Sequence, residues 1–165
     1  MSINNERIIF CNKEKVTLEY AGEIAYKLYE LEQKSTQPIM IIINSKGGYD
    51  CKFIITAIKA SKSKVYTCGL GNITEEAALI LASGVECVMF KDTEIKLTAN
   101  GEKGLKKFGC VIEKKYEKIS NFIANDSHPY LEEGQKVIIE TIETFAQFND
   151  YWKLKNDEYQ KQSKA

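Results

Sequence analysis

The chain has 165 residues, of which 44% are apolar and 28% charged, so it is long enough and apolar enough for one domain with a buried core. Its 23 basic and 23 acidic side chains give no net charge, which excludes an overall attraction to nucleic acid or to an anionic membrane. Arg7 is the only arginine, so the chain has few guanidinium groups for bidentate recognition of phosphates or bases. We expect neither nucleic acid nor a membrane as a partner.

The cysteines and the first residues predict a cytoplasmic protein. Five cysteines stand singly, without the CxxC pairs typical of zinc sites: Cys11, Cys51, Cys68, Cys87 and Cys110. An odd number of isolated cysteines is typical of reduced, mostly buried thiols. The first ten residues lack the apolar segment of a secretory signal, and no apolar run approaches transmembrane length. We expect no metal and no cofactor.

The first two thirds of the chain alternate between strand and helix patterns. In chain order we predict strand Arg7–Cys11, helix Thr17–Gln33, strand Ile39–Ile43, helix Cys51–Ala60, strand Lys64–Cys68, helix Thr74–Ser83, and strands Val85–Phe90 and Glu94–Thr98. This alternation predicts an α/β fold with parallel strands.

The last third predicts helices instead. We expect helices at Leu105–Ala124 and Leu131–Trp152, separated by Asn125–Pro129, and a frayed charged tail after Lys153. The second helix has one apolar face, which we interpret as core, with a contact to a neighbouring subunit as the alternative: Val137, Ile138, Ile142, Phe145, Phe148 and Trp152. Because no low-complexity linker interrupts the chain, we predict a single domain over residues 1–165.

Two turns that contain glycine are the most informative local feature. Gly47 and Gly48 follow the second predicted strand, and Gly71 follows the third. Glycine permits positive φ and a close approach of the backbone to a ligand. Free N–H groups at such turns and at a helix N-terminus can bind an oxyanion or a carboxylate, whereas the simpler interpretation is tight packing.

The residue order around these turns resembles the Clp-protease proteolytic-subunit (ClpP) family. The segments that carry the resemblance are IMIIINSKGGYDCKFIITAIKA and VYTCGLGNITEEAALILASGVECVMF, and the second aligns without a gap from Gly71 to Gly84. The similarity covers residues 6–98 and leaves a divergent helical part at about 105–152. It implies the spiral of strand–turn–helix units that the ClpP and crotonase-like proteins share, followed by C-terminal helices.

The family's Ser-His-Asp triad does not carry over to this sequence. The resemblance places Glu75 at the nucleophile position, Thr98 at the histidine position and Asp126 at the aspartate position. Threonine cannot serve as a general base near neutral pH, so the triad chemistry fails. The resemblance also implies backbone donors of an oxyanion hole at Gly48 and Glu76. We therefore predict a catalytically degenerate, ClpR-like subunit that acts as a scaffold or regulator.

Three alternatives remain at this point. Glu75 and Asn72 approximate a helix capping box, with Asn72 as the N-cap. Glu75 or Glu76 could instead serve as the acid of a crotonase-like acyl-CoA enzyme. A peptidase with a displaced nucleophile would use Thr74 or Ser83.

The remaining family features concern assembly. The sole histidine, His128, lies in a polar turn far from the matched histidine position. The interval from Thr98 to Asp126 is shorter than the corresponding interval in the family, which carries a long helical handle, and this puts stacked double rings in doubt. The resemblance implies a homo-oligomer or a mixed ring with an active Clp subunit, and an ATPase unfoldase as a further partner.

Overall fold

The computed structural model describes residues 5–74, 76–96, 111–114 and 136–163, with the backbone alone at residues 96, 111–114 and 136–140. Along the chain, a 3-10 turn at Asn5–Arg7 precedes β1 (Ile8–Cys11), α1 (Leu18–Lys34), β2 (Ile39–Ile43), α2 (Cys51–Ala60), β3 (Val65–Gly69), β4 (Asn72–Thr74), α3 (Glu76–Ala82), β5 (Cys87–Phe90), β6 (Glu94–Lys96), β7 (Val111–Lys114), β8 (Lys136–Ile142) and α4 (Phe145–Ser163).

Six of these strands form one sheet in the order β1-β2-β3-β5-β8-β7. Every neighbouring pair is parallel. The short strands β4 and β6 form a second, two-stranded parallel sheet in which Thr74 lies opposite Lys96. The predicted α/β fold with parallel strands is therefore confirmed.

The two faces of the large sheet are covered by different helices. On one face, α1, α2 and α3 enclose the larger apolar cluster, whose members include Ile24, Ile41, Ile54 and Leu79. On the other face, α4 packs Phe148 and Trp152 against alternate residues of the same strands: Met40, Ile42, Tyr66, Cys68, Val88 and Phe90. β2 and β3 are buried along their whole length because they carry core residues on both faces.

The bounds predicted for the C-terminal helices are wrong. Residues 111–114 and 136–142 are strands, and the last helix begins at Phe145 and continues to Ser163 through the tail that was expected to fray. The segment KVIIETI is rich in β-branched residues and pairs with the central strand β5. The apolar residues whose spacing predicts a single helix in fact belong to two elements, β8 and α4.

The burial of the segment's apolar residues follows from this arrangement. Ile142, Phe148 and Trp152 belong to the core, as predicted, whereas Phe145 is 69% exposed although its ring lies 5.1 Å from that of Phe90.

Candidate functional site

The two glycine turns lie at the same edge of the sheet, because they follow neighbouring parallel strands. Asn44 begins the turn after β2, and its side-chain oxygen accepts a hydrogen bond from the backbone N–H of Asn72 at 3.2 Å. The N–H of Thr74 donates to the carbonyl of Ser45, and the Thr74 hydroxyl donates to the carbonyl of Lys46 at 3.1 Å. These bonds hold the two turns together and direct β4 towards the start of α3.

Gly47 brings the first turn directly against the N-terminus of α3. Its φ is 87°, and a Cβ atom at this position would lie 2.6 Å from the backbone nitrogen of Ala77 and 3.2 Å from that of Glu76. Gly71, with φ 92°, similarly approaches the side chain of Asn44. Glycine is required here both for the backbone conformation and for the close approach.

The turn at Gly47 is held on its other side by the segment that precedes α1. The carbonyl of Gly47 accepts from the N–H of Val16 at 3.0 Å, and the N–H of Lys46 donates to the carbonyl of Glu14 at 2.8 Å. The side chains of Lys46 and Glu14 form an exposed ion pair. The hydrogen bond from the Lys46 side chain to the Glu14 carboxylate, together with the charge of the ammonium group, lowers the pKa of the Glu14 carboxyl.

Ser45 organises this turn, and its role was missing from the sequence interpretation. The side chain is buried, donates to the carbonyl of Glu14 and accepts from the N–H of Gly47 at 3.0 Å. A serine two residues before a turn glycine is the signal that could have identified it.

The backbone N–H groups of Gly48 and Glu76 are the donors that the resemblance assigns to this edge. The other polar groups of the glycine pair are used, since the Gly48 carbonyl accepts from the N–H of Cys51 at 3.1 Å. Within the described residues, neither the Gly48 N–H nor the Glu76 N–H donates a hydrogen bond. A helix N-terminus beside a glycine turn favours a negatively charged oxygen. Their role as an oxyanion hole remains a prediction.

The capping-box interpretation of this helix start is wrong. Asn72 pairs with Glu94 in the small sheet, and α3 begins only at Glu76. Asn72 and Thr74 lie in β4, and their backbone N–H groups donate to the Asn44 side chain and to the Ser45 carbonyl.

The predicted triad positions lie outside the described residues. Glu75 falls between β4 and α3, and β6 ends at Lys96, two residues before Thr98. Asp126 and His128 also fall outside, so all four assignments stay predictions. The β4–β6 pairing nevertheless brings the end of β6 beside the residue that precedes Glu75.

Two hydroxyl groups considered as displaced nucleophiles are described, and each donates to a backbone carbonyl. Thr74 donates to Lys46, as above, and Ser83 donates to the carbonyl of Leu79 at 2.6 Å, at the other end of α3. Neither hydroxyl donates to a histidine or a carboxylate in the part of the chain that is described. The acyl-CoA hypothesis for Glu76 likewise stays a prediction.

The cysteines in the described part of the chain are poorly suited to act as nucleophiles. The four described thiols are free and buried. Burial raises the pKa of Cys11, Cys68 and Cys87 to about 12 in each case. Burial, followed by the charges of Cys11 and Glu76, also raises the pKa of Cys51, which is the cysteine nearest the glycine turn in sequence. Because the thiolate is the nucleophile, these groups are unreactive near neutral pH.

Over residues 5–74, 76–96, 111–114 and 136–163, no group of three His, Cys, Asp or Glu side chains is placed to hold a metal ion. None of the helices in that same part of the chain has the length and apolar character needed to cross a membrane.

Comparisons with known proteins agree with this architecture. A search of curated sequences returned no match. The chain is similar in structure to the ClpP protease catalytic domain from Plasmodium falciparum, with a TM-score of 0.54 and 27% identity over 56% of this chain and 55% of that one. It is also similar in fold to a mutant of ClpP1 from Listeria monocytogenes, with a TM-score of 0.55 and 23% identity over 60% of each chain. The matched part is thus little more than half the length of either structure.

The family itself is established by sequence. The family model described as Clp protease matches residues 1–127, which is most of the chain and includes both glycine turns. Together with the parallel sheet and the turn at Gly47, this match shows that the chain belongs to the Clp protease family.

Proposed function

We propose that this Clp-family chain works without serine-protease chemistry, as a structural or regulatory subunit of a Clp-type assembly. The sequence supports this at two positions, because the residues that the resemblance places at the nucleophile and general-base positions are Glu75 and Thr98. A carboxylate that attacked an acyl carbon would form an anhydride, and threonine accepts no proton near neutral pH.

The observation that carries the proposal is the contrast between the backbone and the side chains at this edge of the sheet. Gly47 lies against the backbone nitrogens of Glu76 and Ala77 at the start of α3, which supports a turn that can bind an anion. The side chains around it supply no activated nucleophile among the described residues, because the thiols are buried and the hydroxyls of Thr74 and Ser83 donate to carbonyl oxygens.

A carboxylate from this chain is a suitable occupant for that turn. Glu75 and Glu76 are consecutive at the start of α3, where a negative charge is stabilised by about 0.3–1 kcal/mol at an exposed site. We propose that one of them takes the place of the substrate oxyanion. The vacant donors would then stabilise the fold instead of a transition state.

Assembly is the remaining role for a family member without chemistry. Members of the Clp protease family form rings, which makes an oligomer the natural expectation for this chain. We propose either a homo-oligomer or a mixed ring with an active Clp subunit from the same cell, with an ATPase unfoldase as a further partner.

The experiment is a measurement of mass in solution, by light scattering after size exclusion, for the chain alone and for an equimolar mixture with an active Clp subunit. We expect a defined oligomer in one of the two samples. An unrelated protein of similar size replaces the Clp subunit in the control. A monomer in both samples, at concentrations at which the active subunit forms rings, would overturn the proposal.

A further inference from the structure

A cleft of about 560 Å³ opens at the edge of the sheet opposite to the glycine turns. It lies where α2 leads into β3 and where α3 leads towards β5, so its walls come from residues 58–65 and 83–85. β3 separates the two edges by five residues, which is about 15 Å at the rise of a β-strand. The cleft is therefore distinct from the candidate site described above.

The cleft is lined by three lysines and by no acidic residue. Lys59, Lys62 and Lys64 contribute to its walls, all three are exposed, and none forms an ion pair with a described residue. Lys46, at the opposite edge of the sheet, differs in being paired with Glu14.

Two helix C-termini near the cleft offset only part of this positive charge. α2 ends at Ala60 and α3 at Ala82, and each C-terminus carries about half a negative charge. Three ammonium groups outweigh the two termini, and a net positive charge of about two remains.

A fourth positive charge lies behind the wall. The buried guanidinium of Arg7 donates to the hydroxyl of Ser63, which lines the cleft, at 3.3 Å. Its other hydrogen bonds go to backbone carbonyls, among them those of Leu31 and Gln37. Among the described residues Arg7 has no carboxylate partner, so its charge adds to the field in the cleft.

The cleft also contains an unused hydroxyl and an apolar wall. The side-chain oxygen of Ser61 is buried and has no hydrogen-bond partner among the described residues. Buried polar atoms are normally paired, so this hydroxyl favours a ligand that accepts hydrogen bonds. Ile58, Val65 and the exposed Val85 provide apolar contact on the other side.

We propose that this cleft binds a small phosphate-bearing molecule that has an apolar or aromatic portion. Lysine binds phosphate as a point charge, and the volume is within the range of about 300–1,000 Å³ that is usual for small-molecule sites. The phosphate lies against the lysines and the Ser61 hydroxyl. The apolar portion lies against the wall formed by Ile58, Val65 and Val85.

The proposal is tested by titrating the native chain with inorganic phosphate, pyrophosphate and phenyl phosphate, with amide NMR shifts as the readout at low ionic strength. We expect saturable shifts confined to residues 58–65 and 83–85. Phenyl phosphate should bind more tightly than inorganic phosphate because it also contacts the apolar wall. A pattern of shifts spread over the other surface lysines would overturn the proposal, as would the absence of shifts at millimolar ligand.

Two triple variants remove the same charge from different places. The variant with Lys59→Gln, Lys62→Gln and Lys64→Gln should bind pyrophosphate at least about tenfold more weakly, a loss of about 1.4 kcal/mol. The control with Lys27→Gln, Lys153→Gln and Lys161→Gln, all at exposed helical positions, should bind within about twofold of the native chain. Equal losses in the two variants would show general electrostatic attraction and contradict a specific site. Ser61→Ala should weaken pyrophosphate binding without changing the unfolding midpoint, and unchanged binding would contradict the placement of the phosphate against this hydroxyl.

Discussion

Gly47 is the residue at which the two turns of the candidate site meet, and its substitution tests that contact. Gly47→Ala would place a methyl group 2.6 Å from the Ala77 nitrogen and impose a strained φ of 87°. We expect a loss of about 2–4 kcal/mol in the free energy of unfolding, measured by urea denaturation.

Gly22→Ala is the matched control, because Gly22 lies within α1 and a Cβ atom there meets nothing within 4 Å. This variant should gain about 0.5–1 kcal/mol, since alanine has the higher helix propensity. If the two variants had equal stability, the close packing of Gly47 on α3 would be refuted.

Individual residues also mark where sequence reasoning was sufficient and where it was not. Gly47, Gly48 and Gly71 were identified as turn residues, and all three have positive φ. Arg7 was noted only for its rarity, yet its side chain donates to the carbonyls of Leu31, Ser35, Gln37 and Pro38 around the end of α1. Such a set of acceptors from distant residues is formed by tertiary contact and leaves no local pattern.

At the scale of elements, α4 depends on Trp152. This side chain is fully buried at the centre of the second core cluster, and its ring lies 6.0 Å from that of Tyr66. Its indole N–H has no hydrogen-bond partner among the described residues. We therefore expect Trp152→Phe to cost about 1–2 kcal/mol, from lost volume alone, and Trp152→Ala about 3–5 kcal/mol.

Urea denaturation followed by circular dichroism measures both values, because Trp152 is the only tryptophan and its fluorescence is lost in either variant. A Trp152→Phe variant as unstable as Trp152→Ala would contradict the account, since it would mean that the indole N–H makes an essential hydrogen bond.

The turn of α4 that follows Trp152 is fixed by charge as well as by packing. Lys155 is almost fully buried and forms an ion pair with Glu86 at 2.8 Å, while its ammonium group lies 5.3 Å from the ring centre of Tyr151. Burial alone would lower the pKa of Lys155, but the hydrogen bond and charge of Glu86 outweigh it, and the pKa is raised. The helix is thereby tied to the residue that precedes β5.

The elements that were predicted well are those defined by their own residues. The run IMIII is apolar enough to specify a buried strand, and α2 begins and ends where the apolar pattern indicates. β4 and β8 were missed because each is defined by its partner. Asn72–Thr74 is a strand only beside Glu94–Lys96, and KVIIETI has an apolar spacing that also fits a helix until β5 is known to lie next to it.

At the scale of the whole molecule, we expect the buried thiols to lower the free energy of unfolding at alkaline pH. A thiol with a folded pKa of about 12 and a reference value of 9.0 keeps its proton in the folded chain and loses it in the unfolded chain between these two values. Stability is therefore fully present below pH 9 and falls as the pH rises above it. Each such thiol should lower the free energy of unfolding by about 1.4 kcal/mol at pH 10.

Unfolding by urea at pH 7 and at pH 10 measures this loss. Cys68→Ala and Cys87→Ala, tested separately, should each be less stable at pH 7 because they leave a cavity, but should lose about 1 kcal/mol less between the two pH values. The raised pKa of Lys155 acts in the same direction only at still higher pH. An alkaline loss that is identical in the native chain and both variants would show that these thiols are not responsible.

The fold and the biochemical role were not equally accessible from the sequence. The parallel sheet and the position of the glycine turns follow from local residue patterns and agree with the family match over residues 1–127. The proposed loss of protease chemistry rests on Glu75 and Thr98, which the resemblance assigns to triad positions and whose roles must be tested by chemistry.

The most direct test of the central claim is labelling of the native chain with a serine-directed fluorophosphonate, read by intact mass, with an active Clp subunit labelled in parallel. We expect the active subunit to gain one probe per chain and the mass of this chain to be unchanged. We also expect that a fluorogenic peptide cleaved by the active subunit is not cleaved by this chain. A stoichiometric adduct on this chain, at Thr74, Ser83 or any other hydroxyl, together with peptide cleavage, would contradict it.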